Sequence, residues 1–135
     1  MGDALRAAER FFGAFAAGDW PAARACYAAG CVTVTPAGAL DNDQHEAFGR
    51  MFKGGLPDAR MEVTHAVEAG DEVFLEGRFR GTHSADLVTP QGTIPASGKE
   101  LDLPFADYFR VEGGAIVAHR TYWDQATMMA QLGAR

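Results

Sequence analysis

From Met61 to Val111, apolar residues recur at every second position. The odd positions carry Met61, Val63, His65 and Val67, then Val73, Leu75, Gly77, Phe79, Gly81 and His83, then Leu101, Leu103, Phe105, Asp107, Phe109 and Val111. The even positions between them hold Glu62, Thr64, Glu68, Glu76, Arg78, Arg80, Asp102, Arg110 and Glu112. A period of two marks strands with one buried and one wet face, so three strands of one antiparallel sheet are predicted, odd side chains inward. Gly70-Asp71 turns the first pair. The stretch from Ser84 to Gly98, with Pro90, Gly92, Pro95 and Gly98, is too turn-rich for continuous strand and reads as a loop over one end of the sheet.

The first half follows helical spacing instead. Leu5, Ala8, Phe12 and Phe15 recur along a helix that Asp3 can cap and Gly18 ends. Asp19-Trp20-Pro21 opens a second helix to about Tyr27, because Asp caps well and Pro is tolerated in a first turn. A short strand, CVTVTP, follows. Asp43-x-x-Glu46 has the form of a capping box for a third helix, with Ala47, Phe48, Met51 and Phe52 on one side until Gly54-Gly55.

The last strand depends on the turn Glu112-Gly113-Gly114. A three-residue hairpin sets Val111 opposite Ala115 and Asp107 opposite His119, keeping odd residues inward, and this is the preferred register. A two-residue Gly-Gly turn flips the parity, and a bulge farther along can restore it. In the preferred register His119, Thr121 and Trp123 face inward and Arg120 and Tyr122 outward. Asp124, followed by QATMMAQLG, is placed to cap a final helix whose Met128, Met129 and Leu132 pack inward.

Composition narrows the function classes. At 135 residues, 47% hydrophobic and 22% charged, the chain suits one globular domain, 1–135, able to bury a core. A formal charge of -6 supplies no basic field for phosphate backbones, so no nucleic-acid partner is expected. No apolar stretch approaches the roughly 20 residues of a membrane span, and MGDALRAAER lacks the apolar run of a signal peptide, so no membrane partner and a cytoplasmic location are expected. Cys26 and Cys31 have no paired metal-type spacing and read as free thiols.

Helices followed by a long sheet with one apolar face predict an α+β domain, a curved antiparallel sheet wrapped around N-terminal helices in a cone that leaves a pocket at one end. The run GTHSADLVTPQGTIPASGKELDLPFADYFRVEGGAIVAHRTYWDQATMMAQLG resembles the SnoaL-like polyketide cyclase group of the nuclear transport factor two-like, ketosteroid isomerase-like superfamily. The GTH after a strand, the loop ending in SGK, the glycine turn before a last strand, and the closing WDQ with QLG carry the resemblance. It covers residues 76–133 closely and the helical half in outline. It implies a mostly apolar pocket, no metal, no organic cofactor, and dimerisation through the sheet. It also implies an acidic residue in the last strand, three residues before the Asp of the WD ending, with a polar partner on the preceding strand. The partner falls on Asp107, but the acidic position holds Thr121, which cannot take a proton at neutral pH.

The residues themselves offer a replacement. Asp107 lies on the apolar parity, where desolvation suits a carboxylate to proton abstraction beside a carbonyl, and His119 can orient it or act as the acid. The competing account is a buried pair that satisfies itself. Phe15, Trp20, His65, His83, Phe105, Thr121 and Trp123 are the expected substrate-binding residues around an apolar or polycyclic small molecule. His65 and His83 read equally as hydrogen-bonded wall residues. The expected function is a cofactor-independent cyclase or isomerase; a binding or dimerisation domain, or a related hydrolase or dehydratase, is the alternative. Phe74, Tyr108, Ile116 and Tyr122, on the outer parity among arginines, predict a homodimer across that face.

Overall fold

The computed structural model describes residues 2–133. In chain order it runs α1 (Asp3–Ala17), α2 (Trp20–Ala25), β1 (Thr33–Thr35), β2 (Gly38–Leu40), α3 (Asn42–Gly55), β3 (Arg60–Ala69), β4 (Glu72–Thr82), β5 (Leu87–Thr89), β6 (Gly92–Ile94), β7 (Glu100–Glu112), β8 (Ala115–Trp123) and α4 (Gln125–Gln131). Six strands form one curved sheet in the order β2-β1-β8-β7-β4-β3, antiparallel throughout except where β1 runs parallel to β8. The α+β architecture is as the alternation predicts. Within the segment read as loop, β5 and β6 pair as a small hairpin, a correction to that reading.

Helix α1 lays Ala4, Ala7, Ala8, Phe11, Phe12 and Phe15 on the concave face, the i, i+3, i+4 stripe of an amphipathic helix. Its start differs from expectation. Gly2 is the cap position, and Asp3 sits in the first turn, paired with Arg6 at 2.9 Å. Glu68 of β3 accepts from the backbone N–H groups of Gly2 and Leu5, so a carboxylate from another element satisfies the helix end. Asp19 caps α2 through Ala22 N–H, which ends sooner than expected, at Ala25. The capping box of α3 is Asp41 with Gln44, not Asp43 with Glu46, because Asp43 is engaged by Arg24 of α2. Asp124 caps α4 through Thr127 N–H, and Gln131 then pins α4 to β7 by exchanging two hydrogen bonds with the backbone of Asp102, at 2.9 and 3.0 Å.

Two irregularities set which side chains reach the interior. At β7–β8 the turn is the two-residue form: Gly113 and Gly114 both have positive φ, 58° and 81°, and Glu112 pairs with Ala115. The register then shifts between Arg110 and Val111, leaving Val117 as the extra residue and restoring odd residues inward beyond it. Ile116, expected outside, is therefore fully buried. Asp107 faces Thr121, and His119 faces Phe109 instead of Asp107.

The second irregularity lies in β3, between Val63 and His65. It turns His65 to the outer face opposite Glu76, exposed and away from the cavity, which corrects its expected inward place. Gly77 permits the close approach there: a Cβ at that position would stand 2.3 Å from the carbonyl oxygen of Glu62.

Two apolar clusters fill the concave side. One joins α1 to Val73, Phe109, Val111 and Ile116; the other joins α3 and α4 to Leu101 and Leu103, with Leu56 at its centre. Between them the packing opens.

Candidate active site

The opening is a cavity of about 120 Å³ bounded by α1, α2 and α3 on one side and the concave faces of β7 and β8 on the other. Its walls are mainly aromatic, with rings locked by their neighbours. Phe15 meets Trp20 edge-on at 5.9 Å, Phe48 stacks on Trp123 at 6.0 Å, and Phe12 meets Phe105 edge-on at 6.0 Å. Gly49 leaves room for the Trp20 ring, which would be 3.0 Å from any Cβ added there.

Polar groups occupy the floor. Asp107 and His119 are 4% and 3% exposed. His119 Nε2 approaches Asp107 Oδ2 to 3.5 Å, too long for a good hydrogen bond, and both His119 Nε2 and Asp107 Oδ1 are buried with no hydrogen-bond partner. The other ring nitrogen, Nδ1, is 3.0 Å from the hydroxyl of Tyr27, and the ring lies flat on Phe109 at 4.0 Å. Burial raises the Tyr27 hydroxyl well above the usual phenol range, with the charge of Asp107 acting in the same direction, so the hydroxyl stays protonated. If the hydroxyl donates to Nδ1, the N–H of the ring stands on Nε2, on the side of Asp107. The arrangement reads Tyr27, His119, Asp107, and its last member, a residue of the cavity wall, leaves Oδ1 without a hydrogen-bond partner.

Thr121 lines the cavity beside Asp107, as do Phe15, Trp20, Phe105 and Trp123. His83 does not. It is fully buried at the end of β4, with Nδ1 3.0 Å from Ser97 Oγ, away from the cavity walls. Of the two histidines expected beside the dyad, His65 is on the outer face of the sheet and His83 is buried against Ser97, apart from the cavity.

Among the wall residues that the sequence reading did not single out are Tyr27 and His45. Tyr27 follows α2, where no periodicity marks it, and only its bridge to Ile116 brings it over β8. His45 did leave a signal: it precedes Phe48 and Phe52 by three and seven positions, so it extends the apolar side of α3 by one turn. At the rim, Arg24 pairs with Asp43 and with Glu46, and Arg50 lies over the Trp20 ring at 5.3 Å.

Among the described residues no three His, Cys, Asp or Glu side chains converge as metal ligands, and Cys26 and Cys31 are free and buried. No helix among them is long and apolar enough to cross a membrane.

The sequence profile of the family described as SnoaL-like domain matches residues 8–119. Among solved structures, IdmH of Streptomyces antibioticus, a proposed polyketide cyclase, is 27% identical with a TM-score of 0.80, over 96% of this chain and 98% of that one. A proposed SnoaL-like polyketide cyclase from a Jannaschia species is 20% identical with a TM-score of 0.82, over 98% and 93%. A protein of ketosteroid isomerase-like fold from Catenulispora acidiphila, solved with trimethylamine, is 19% identical with a TM-score of 0.76, over 96% and 93%. No curated protein sequence matches the chain.

Proposed function

The chain belongs to the SnoaL-like domain family, and from that premise we propose that it is an acid–base cyclase or isomerase of polyketide-like carbonyl compounds. The observation that carries this reading is the unspent carboxylate of Asp107: it is buried in the cavity wall, Oδ1 has no hydrogen-bond partner, and Oδ2 comes no closer than 3.5 Å to His119. A structural ion pair closes on itself, whereas a base must keep a lone pair for the substrate.

In the proposed reaction Asp107 takes the proton from the carbon next to a carbonyl, and the C–H electron pair moves into the carbonyl to give an enolate. Thr121, opposite Asp107, donates its hydroxyl to the substrate oxygen, and the Nε2–H of His119 steadies the carboxylate beforehand. The enolate then attacks a second carbonyl of the same molecule, forming the C–C bond and an alkoxide that takes the proton back from Asp107, or is reprotonated at another carbon by the acid now held on Asp107. The likeness to IdmH supports a polyketide-like substrate. Thr121 stands where the resemblance implies an acid, so the proton falls to Asp107.

Deuterium exchange tests the proton abstraction without requiring the natural substrate. β-Keto esters with aromatic or cyclic ends, incubated with the protein in D₂O, should lose their α-proton NMR signal faster than in buffer. Asp107→Asn should slow that exchange roughly a hundred- to ten-thousand-fold while leaving the fold intact. An Asn variant that exchanges as fast as the wild type overturns the assignment. Ligand capture with no exchange in either protein would mark a binding domain instead.

The proposed assembly is a homodimer across the convex face. Val34, Arg120, Tyr108, Phe74 and Val67 stand side by side across five strands there. Val67, Phe74 and Tyr122 are 61%, 59% and 52% exposed, an apolar surface whose burial a second copy would supply. Tyr108 lies beneath Arg120, 4.3 Å from its guanidinium, and hydrogen-bonds Glu72.

A further inference from the structure

The enolate of the proposed reaction needs a donor for its oxygen, and Thr121 stands beside the base. A donor in the facing layer would hold the oxygen end while Asp107 works on the carbon end. There α3 brings a histidine ring whose nitrogens, unlike the hydroxyl of Tyr27, are not tied to His119. His45 lines the same cavity as Asp107 and His119, half-buried, and no hydrogen bond from the described residues engages its ring. The ring is nonetheless held. Phe11 stacks on it at 5.5 Å and 30°, Tyr27 meets it edge-on at 5.2 Å, and His119 meets it at 5.6 Å and 78°.

A polar ring fixed by three aromatic neighbours, with both nitrogens unspent, is prepared for a partner the protein does not supply. Resting on the reading of Asp107 as the base, we propose that His45 is a second catalytic residue: a neutral imidazole whose N–H hydrogen-bonds the substrate's carbonyl oxygen and the enolate formed from it.

A single enolisable unit sets what the two groups must do. A base works about 3–3.5 Å from the reacting carbon, and an oxyanion donor about 3 Å from the oxygen one bond further on. The rings of His45 and His119 lie 5.6 Å apart, and His119 Nε2 is 3.5 Å from Asp107, so His45 and Asp107 stand on either side of His119 on the wall of one cavity. Burial, with His119 adding to it, lowers His45 to about 3, so it meets substrate uncharged. A neutral imidazole presents one N–H and cannot give up a second proton cheaply, which assigns it polarisation of the carbonyl in place of proton transfer.

The substrate class follows from the space. About 120 Å³ between aromatic walls takes one ring-sized body, comparable with a cavity that admits benzene. The part of the substrate that enters is a cyclic or aryl ketone unit, with any further rings outside the rim.

An enolate mimic separates this inference from the reading it rests on. After proton transfer Asp107 is neutral, so Asp107→Asn copies the charge of the site that faces the enolate. The probe is 4-nitrophenolate, ring-sized and coloured, titrated by absorbance into Asp107→Asn alone and combined with His45→Phe or His45→Gln. The phenylalanine combination should bind at least about tenfold more weakly, and the glutamine combination, which restores an N–H donor, within about threefold of Asp107→Asn. In the otherwise wild-type protein His45→Phe should slow deuterium exchange roughly a hundred- to a thousand-fold, as loss of an oxyanion donor does. Equal binding by Asp107→Asn with and without His45→Phe overturns the proposal, as does equal loss with Phe and Gln, or no binding of the probe to Asp107→Asn. Failure of the base assignment shows separately, as undiminished exchange in Asp107→Asn.

Discussion

On the convex face of the sheet Arg78 pairs with Asp102 at 2.8 Å and Arg80 with Glu62 at 2.9 Å, with roughly two-fifths of each side chain in solvent. On the concave face of the same sheet Asp107 and His119 are almost fully buried and approach no closer than 3.5 Å. The outer charges are better paired and matter less, because water would solvate them anyway. The inner carboxylate is poorly paired and matters more, because burial takes it out of bulk solvent and each interaction there is weakly screened. Burial, rather than the number of contacts, decides which polar residues carry chemistry.

If the comparison holds, the largest stability difference between the faces belongs to the phenylalanines. Phe109 is fully buried between Phe12 and the ring of His119, so Phe109→Ala should cost about 3–5 kcal/mol in urea unfolding. Phe74→Ala, on the exposed face, should cost less than about 1 kcal/mol in the monomer. Similar losses at the two positions would break the comparison.

Acid should expose the inner face next. His45 has a folded value of about 3 against its ordinary 6.5, so between these limits the unfolded chain binds the extra proton and the folded one does not. Its influence on stability is therefore absent above pH 6.5 and grows as the pH falls through the window toward 3, destabilising the fold by about 2 kcal/mol by pH 5. His45→Phe should remove that component, making the urea midpoint less dependent on pH between 7 and 5. An unchanged dependence would mean that the ring reaches solvent.

On the outer face the apolar row, not the ion pairs, should respond. Phe74→Glu puts like charges against each other in the proposed dimer, and sedimentation velocity at micromolar concentration should show monomer where the wild type sediments as dimer. A wild-type monomer, or a variant dimer, refutes that assembly. The smallest change is expected from Arg78→Met, which removes a half-exposed ion pair and should alter stability by no more than about 1 kcal/mol.

What the sequence alone determined was whatever local chemistry dictates. Unbroken alternation along β4 and β7 set their inner faces, Gly18 ended α1, Asp19 and Asp124 capped the helices after them, and Asp107 stood on the apolar parity. The stretch DNDQHE held two overlapping cap signals, and only the pairing of Asp43 with Arg24 chose between them. Tertiary structure decided the rest. One extra residue in β3 sent His65 outside, and one in β8 set His119 diagonal to Asp107, because a bulge changes register without leaving a mark on hydrophobic periodicity. Tyr27 and His45 reached the floor and wall of the cavity through the docking of the α2 region and α3 over the sheet. Residues 92 and 74 positions from His119 in the chain meet it only because the helices must cover the concave face to bury their own apolar stripes.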